Sequence, residues 1–110
     1  MPRLDVEEEG GLRLQPIRRE VEEFAEAMEL ELMKHDDRPG WKECDVQWLL
    51  KRLREETDEL EATLKDKNPN GKISRIKEEA ADVGNFAMMI SDVIKEDWLR
   101  RTVARFAEEF

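Results

Sequence analysis

The sequence predicts an all-α fold: a helical bundle of three long helices plus a short C-terminal helix, completed by oligomerisation. Three observations predict it. Leu, Ala, Glu, Lys and Arg dominate a chain of 110 residues in which aromatics make up 6% and Tyr is absent, a composition that favours helices. Apolar residues recur every three to four positions along three separate stretches, as they do on a helix with one buried face. Two polar segments, HDDRPGWKE and NPNG, part those stretches with helix-breaking proline and glycine. At this length the chain is one domain with a modest core.

Residues 1–15 contain EEEGG and no sustained period, so they read as a mobile arm that is free to pack on a partner subunit. Residues 16–110 form the single helical domain. Pro16 suits a first helical turn, and Ile17, Val21, Phe24, Met28 and Leu32 then mark a core-facing stripe that ends at about residue 34. Glu22, Glu23 and Glu29 fall on its solvated face.

The segment 35–43 is a loop between rigid helices, a common place for binding residues. His35 is the sole histidine, which excludes a multi-histidine metal site. It either ends the helix, where the dipole favours it, or reaches a ligand. Trp41 offers a flat face for stacking on a nucleobase, or else plugs the helix ends. Arg38 neutralises a phosphate or pairs with Asp36 or Asp37.

Asp45 caps a second helix that runs to about residue 66. The NPNG turn then sets a third helix, about residues 72–95, antiparallel to it. Lys72, Arg75 and Lys77 at its start either contact phosphate or solvate the surface. Beyond its main stripe this helix carries Phe86, Met88 and Met89, so its second half is apolar nearly all round and must be covered from several sides. One short chain can hardly do that alone, and a homodimer or homotetramer follows. Asp97 caps the short fourth helix, whose Trp98, Leu99, Val103 and Phe106 form a packing face.

The functional signal lies in residues 48–90. Glu56 and Glu59 on the second helix, and Glu79 and Asp82 on the third, are pairs three residues apart, so each pair points its carboxylates the same way. Leu49, Leu53, Leu60 and Leu64 define the buried stripe of the second helix, and Glu56 falls within about 20° of its middle, where a leucine belongs. The stripe of the third helix is Ile76, Ala80, Val83, Ala87, Ile90 and Ile94, with Glu79 about 60° from Ile76 and Asp82 further round. Antiparallel packing along these stripes brings four carboxylates to one patch. Two of them at about 4–5 Å repel by roughly 3–4 kcal/mol at an effective dielectric near 20. A divalent cation relieves that, and all-oxygen ligation favours Mg²⁺, Mn²⁺ or Ca²⁺ over Zn²⁺. In a chain that is 43% charged, either pair alone is common on a solvated face; both pairs on consecutive helices, with one Glu among leucines, are far less so.

Charge and composition exclude several classes. A net charge of −9 argues against a nucleic-acid backbone as partner, though not against nucleotides, because a bound metal reverses the local sign. The single Cys44 cannot form an intramolecular disulfide and reads as a helix-entry residue. No apolar run is long enough to span a bilayer and the amino terminus lacks a signal-peptide core, so a cytoplasmic protein with no membrane partner is expected.

EETDEL followed after a polar break by EEAADVGN resembles the ExxE and ExxD signature of the all-α nucleoside triphosphate pyrophosphohydrolases, the MazG-like group related to dimeric dUTPases and dCTP pyrophosphatases. Nineteen residues separate Glu59 from Glu79, a gap that suits their helix-turn-helix core. EFAEAMELELMKHDDRPGW resembles the helix and Trp-containing loop that precede the core, and the likeness covers roughly residues 21–93. It implies a MazG-like domain that splits a nucleoside triphosphate between the α and β phosphates. Mg²⁺ on Glu56, Glu59, Glu79 and Asp82 would clamp the triphosphate, Mn²⁺ being a substitute, and Glu56 or Glu59 would accept the proton of the attacking water. Asn85 is then a substrate contact, or else an interface polar. No phosphate-binding GxxxxGK[ST] loop and no covalent nucleophile arrangement competes.

Three other readings fit less well. Phosphoribosyl-ATP pyrophosphatase shares the acidic helical pattern, but its match to the loop around Arg38 and Trp41 and to the long first helix is poorer. A di-iron carboxylate bundle wants Glu-x-x-His on two helices, and Leu32 stands three residues before the one histidine. An acidic helical interaction module without metal predicts no gain in melting temperature with Mg²⁺ or Mn²⁺.

Overall fold

Three helices carry the fold: α1 (Arg19–Met33), α2 (Val46–Lys65) and α3 (Lys72–Glu109). The computed structural model describes residues 4–6, 12–14 and 16–109, with the side chains of 96–97 and 101–109 and those of the first fifteen residues left aside. α1 and α2 both pack on α3, which makes α3 the spine of the molecule. At 38 residues and 1.5 Å per residue it is about 57 Å long, close to the 61 Å long dimension of the chain. Among the described residues no helix is long and apolar enough to cross a membrane.

Within the N-terminal arm two three-residue strands, β1 (Leu4–Val6) and β2 (Leu12–Leu14), pair antiparallel with Leu4 opposite Leu14 and Val6 opposite Leu12. The sequence pattern does not predict this pairing. LDV and LRL alternate apolar and charged residues with the period of a strand, but three residues are too few to stand out as a pattern.

Helix starts differ from expectation in one place. α1 begins at Arg19, after an extended Arg18 with ψ 140°, so Pro16 and Ile17 precede the helix. α2 begins after Asp45, which holds the cap position in extended backbone but makes no side-chain capping bond. The C-terminal piece expected as a separate helix is joined to α3, which runs through Asp97 to Glu109. No proline or glycine follows Gly84 to stop it.

The turn between α2 and α3 is built by its own polar side chains. The Asp66 carboxylate accepts from the Asn68 backbone N–H at 3.0 Å and from Arg75 at 3.1 Å, while the Asn68 side-chain oxygen accepts from the Asn70 N–H. These donors, Asn68 first and Arg75 next, hold Asp66 below the usual carboxylate range. Lys72 donates to the Asp66 carbonyl, so Lys72 and Arg75 serve the turn. Gly71 closes it at φ +67°, a left-handed conformation that a side chain disfavours. Gly71→Ala is expected to lower stability by about 1 kcal/mol, measured by urea denaturation.

The core between the helices is thin. Leu49, Ala81 and Val93 are the buried apolar residues among those described. Leu53, Leu60, Ile76, Ala80, Val83 and Ile90 of the expected stripes are half-buried, whereas Leu64, Ala87 and Ile94 are exposed. The α3 stripe is displaced because two helices press on it, and its most buried line passes through Ala81, Asn85 and Val93 instead. Ile17, Val21 and Phe24, expected in the core, are 49, 54 and 41% exposed. Gly84 lets α1 approach α3 closely: a Cβ there would lie 2.8 Å from the Phe24 ring.

Candidate functional site

On α2 the most buried positions are Leu49, Glu56 and Thr63. They are seven residues apart, so they share the line that faces α3. Glu56 is only 7% exposed, in the place where the leucine spacing puts an apolar residue. Its Oε1 accepts from an Arg52 guanidinium nitrogen at 2.8 Å, and the other Arg52 nitrogen donates to Glu55. Despite that partner, burial, followed by the charge of Glu59, a hydrogen bond with it and the charge of Asp82, pushes Glu56 up to about 7. Glu56 and Glu59 of α2 and Asp82 of α3 are thus brought into one electrostatic cluster.

Asp82 is raised as well, first by burial and then by Glu31, with Lys34 and His35 opposing and Glu59 adding to the rise. Glu31 is therefore a further member of the cluster, supplied by α1. It is buried and ion-paired with Lys34 at 2.7 Å. Glu79 sits one turn before Asp82 on α3, where its Oε1 accepts from the Thr63 hydroxyl at 2.8 Å. Its Oε2 is buried without a hydrogen-bond partner.

Beside the cluster lies a cleft of about 570 Å³, walled by the segment 32–41, the start of α2 and the middle of α3. Its aromatic surfaces are Trp41, Trp48 and Phe86, and its charged groups include Arg38, Arg52 and Asp36. The loop is tied to α3 by Asp92, which accepts from the Trp41 indole N–H at 2.8 Å and from Lys42. Those two donors, Lys42 first, hold Asp92 below the usual carboxylate range. Arg52 belongs to both places: its guanidinium lies over the Phe86 ring, 5.1 Å from the centroid, while bonding to Glu55 and Glu56.

His35, Arg38 and Trp41, singled out in the sequence, all line the cleft. Asn85 is placed elsewhere. It is 3% exposed, donates to the Met28 carbonyl of α1 at 2.9 Å, and keeps a buried side-chain oxygen without a partner. Sequence reasoning misses Glu31, Arg52, Trp48 and Phe86 as members of the site. For Glu31 a signal existed, since it stands about 60° from Met28 on the shoulder of the α1 stripe. For the aromatic pair nothing local gives it, because Trp48 and Phe86 share the cleft only once α2 and α3 have packed.

No protein-family model matches the chain, and no curated protein or solved structure matches it. What the site can do follows from its own side chains. Among the described residues no group of three or more His, Cys, Asp or Glu side chains is already arranged as a metal-ion cage. The donor chemistry nonetheless fits a hard divalent cation: every candidate ligand is a carboxylate oxygen, burial and then neighbouring carboxylates raise Glu56 and Asp82, and Glu79 holds a buried oxygen with no donor.

Proposed function

We propose that the protein is a Mg²⁺-dependent nucleoside triphosphate pyrophosphohydrolase that converts (d)NTP to (d)NMP and pyrophosphate in the cytoplasm. One observation carries the reading: Glu56 is buried in an apolar register and faces acidic side chains from both α2 and α3. A buried carboxylate with one guanidinium partner and acidic neighbours contributes little to stability, which favours a use for it in binding a cation. The cleft with Trp41, Trp48, Phe86 and Arg38 beside it suits an aromatic base with a charged tail.

Glu56, Glu59, Glu79 and Asp82 would hold the ion, with Mn²⁺ as a substitute. Bound there, Mg²⁺ would offset charge on the triphosphate and make a coordinated water more acidic. Glu56 or Glu59 takes the proton as water attacks the α-phosphorus, the bond to the bridging oxygen breaks, and pyrophosphate leaves. Trp41 stacks on the base, and Arg38 and His35 stand at the same cleft to contact the nucleotide. A pyrophosphate-release screen over the common ribo- and deoxyribonucleoside triphosphates with Mg²⁺ tests this. Release from none of them would leave the acidic interaction module as the better reading.

The working form is an oligomer, a homodimer or homotetramer. Ile17, Val21 and Phe24, with Leu99 on α3, are apolar and exposed among the described residues, the kind of surface a partner subunit covers. The parent is expected to sediment at a multiple of 13.0 kDa. Val21→Glu with Phe24→Glu shifts it to the single-chain mass and lowers its melting temperature, since a core finished by a partner is lost with it.

A further inference from the structure

We propose that Arg52 is the phosphate-binding residue that joins the carboxylate cluster to the cleft, parked on Glu55 and Glu56 in the free protein and turned to a phosphate oxygen when nucleotide binds. This rests on the reading of the site as a metal-dependent nucleotide site. Three observations and one electrostatic argument carry it.

Arg52 lines the cleft while its two terminal nitrogens are committed to Glu55 and Glu56. It is thus the one cleft residue that also bonds directly to a proposed metal ligand among the described residues. Its side chain is 31% exposed, so the guanidinium is reached from solvent. The Phe86 ring beneath it, 5.1 Å away, supports the flat face of the guanidinium and leaves its edges to hydrogen bonding, the arrangement in which a planar fork grips a phosphate through two parallel bonds. Finally, Glu56 cannot give Oε1 both to Arg52 and to a cation without losing part of the first bond. A cation on the cluster weakens the hold on Arg52 by repulsion, and the triphosphate supplies new acceptors.

A purely structural counter-ion behaves differently. If Arg52 serves only to neutralise Glu56, its removal helps a cation to bind and leaves anion binding alone. If it grips phosphate, its removal weakens binding of a phosphate chain and does not weaken binding of the cation.

Titration calorimetry separates these cases with two probes: Mn²⁺ alone, then inorganic tripolyphosphate in saturating Mn²⁺. Arg52→Met, which keeps the stem over Phe86, is expected to bind Mn²⁺ as tightly as the parent or a few-fold more tightly, and tripolyphosphate about tenfold more weakly or worse, as for a lost charge-assisted hydrogen bond. Arg52→Lys keeps the charge without the fork and falls between. Arg54→Met, an exposed position on the same helix, controls for the change in net charge. Thermal melts by circular dichroism confirm that each variant is folded, and Arg52→Lys carries the test if Arg52→Met is not. Tripolyphosphate affinity in Arg52→Met equal to that of Arg54→Met, or in Arg52→Lys equal to that of the parent, overturns the inference and leaves the metal site standing. A parent that binds neither Mn²⁺ nor tripolyphosphate overturns both.

Discussion

Glu59→Gln is expected to reduce pyrophosphate release by about 10²–10³-fold at saturating substrate, as for a loss of roughly 3–4 kcal/mol of transition-state stabilisation. The size follows from what Glu59 does and does not contribute. It is exposed, so replacing it by its amide isostere costs the fold little, within about 0.5 kcal/mol for a surface site. Its charge is among the causes that raise Glu56 and Asp82, so the amide relieves repulsion and leaves melting temperature equal or slightly higher. An activity that collapses while stability holds or rises is the mark of a carboxylate kept for chemistry. Glu61→Gln is the matched control, since Glu61 lies on the same helix but spends its charge on Lys65 at 2.8 Å. Release by Glu59→Gln within about threefold of the Glu61→Gln control, a difference of only about 0.65 kcal/mol, would remove Glu59 from the mechanism.

How far the sequence shows this site depends on which features are local. Glu56 is legible because four leucines fix the face of α2, and a helix converts residue number into angle with little error over five turns. The meeting of Glu56 with Asp82 is legible because NPNG forces α2 and α3 side by side. The stripe of α1 misleads in part. Periodicity identifies an apolar face without saying whether the same chain covers it, and Val21 and Phe24 are half open here although Leu32 nearby is sheltered. Asn85 shows the opposite failure: it lies off the leucine-like stripe of α3 yet is buried, because α1 crosses α3 where Gly84 removes the side-chain bulk. The hold of Asp92 on Trp41 spans 51 residues and has no local signature. Arg52 is visible only as a basic residue on a flank, since its significance comes from Phe86, which belongs to the next helix.

Glu56→Leu is expected to make the protein more stable at pH 8 and inactive, and Glu56→Gln to flatten part of its pH dependence. Glu56 takes up its proton at about 7 in the folded protein instead of its ordinary 4.5. Between those values the folded state holds more of the proton than the unfolded state, so stability falls as pH rises from 4.5 to 7 and stays reduced above it. A shift of that size corresponds to about 3 kcal/mol at 1.36 kcal/mol per pH unit. Coupling to Arg52 and access to water cut this to something on the order of 1–2 kcal/mol. Asp82 acts in the same direction, whereas Asp66 and Asp92, held low by their partners, act in the opposite one. The measurement is therefore a difference: unfolding free energies of parent and Glu56→Gln in urea from pH 5 to 8, whose gap should widen in favour of the variant as pH rises. Leucine adds apolar burial against α3 to the relief of charge. It does not strand Arg52, which keeps Glu55 and remains partly exposed, so the usual penalty for breaking a buried pair does not apply. If the parent equals or exceeds both variants in stability at pH 8, the Glu56 carboxylate is part of what holds the helices together, and its burial no longer argues for a bound ion.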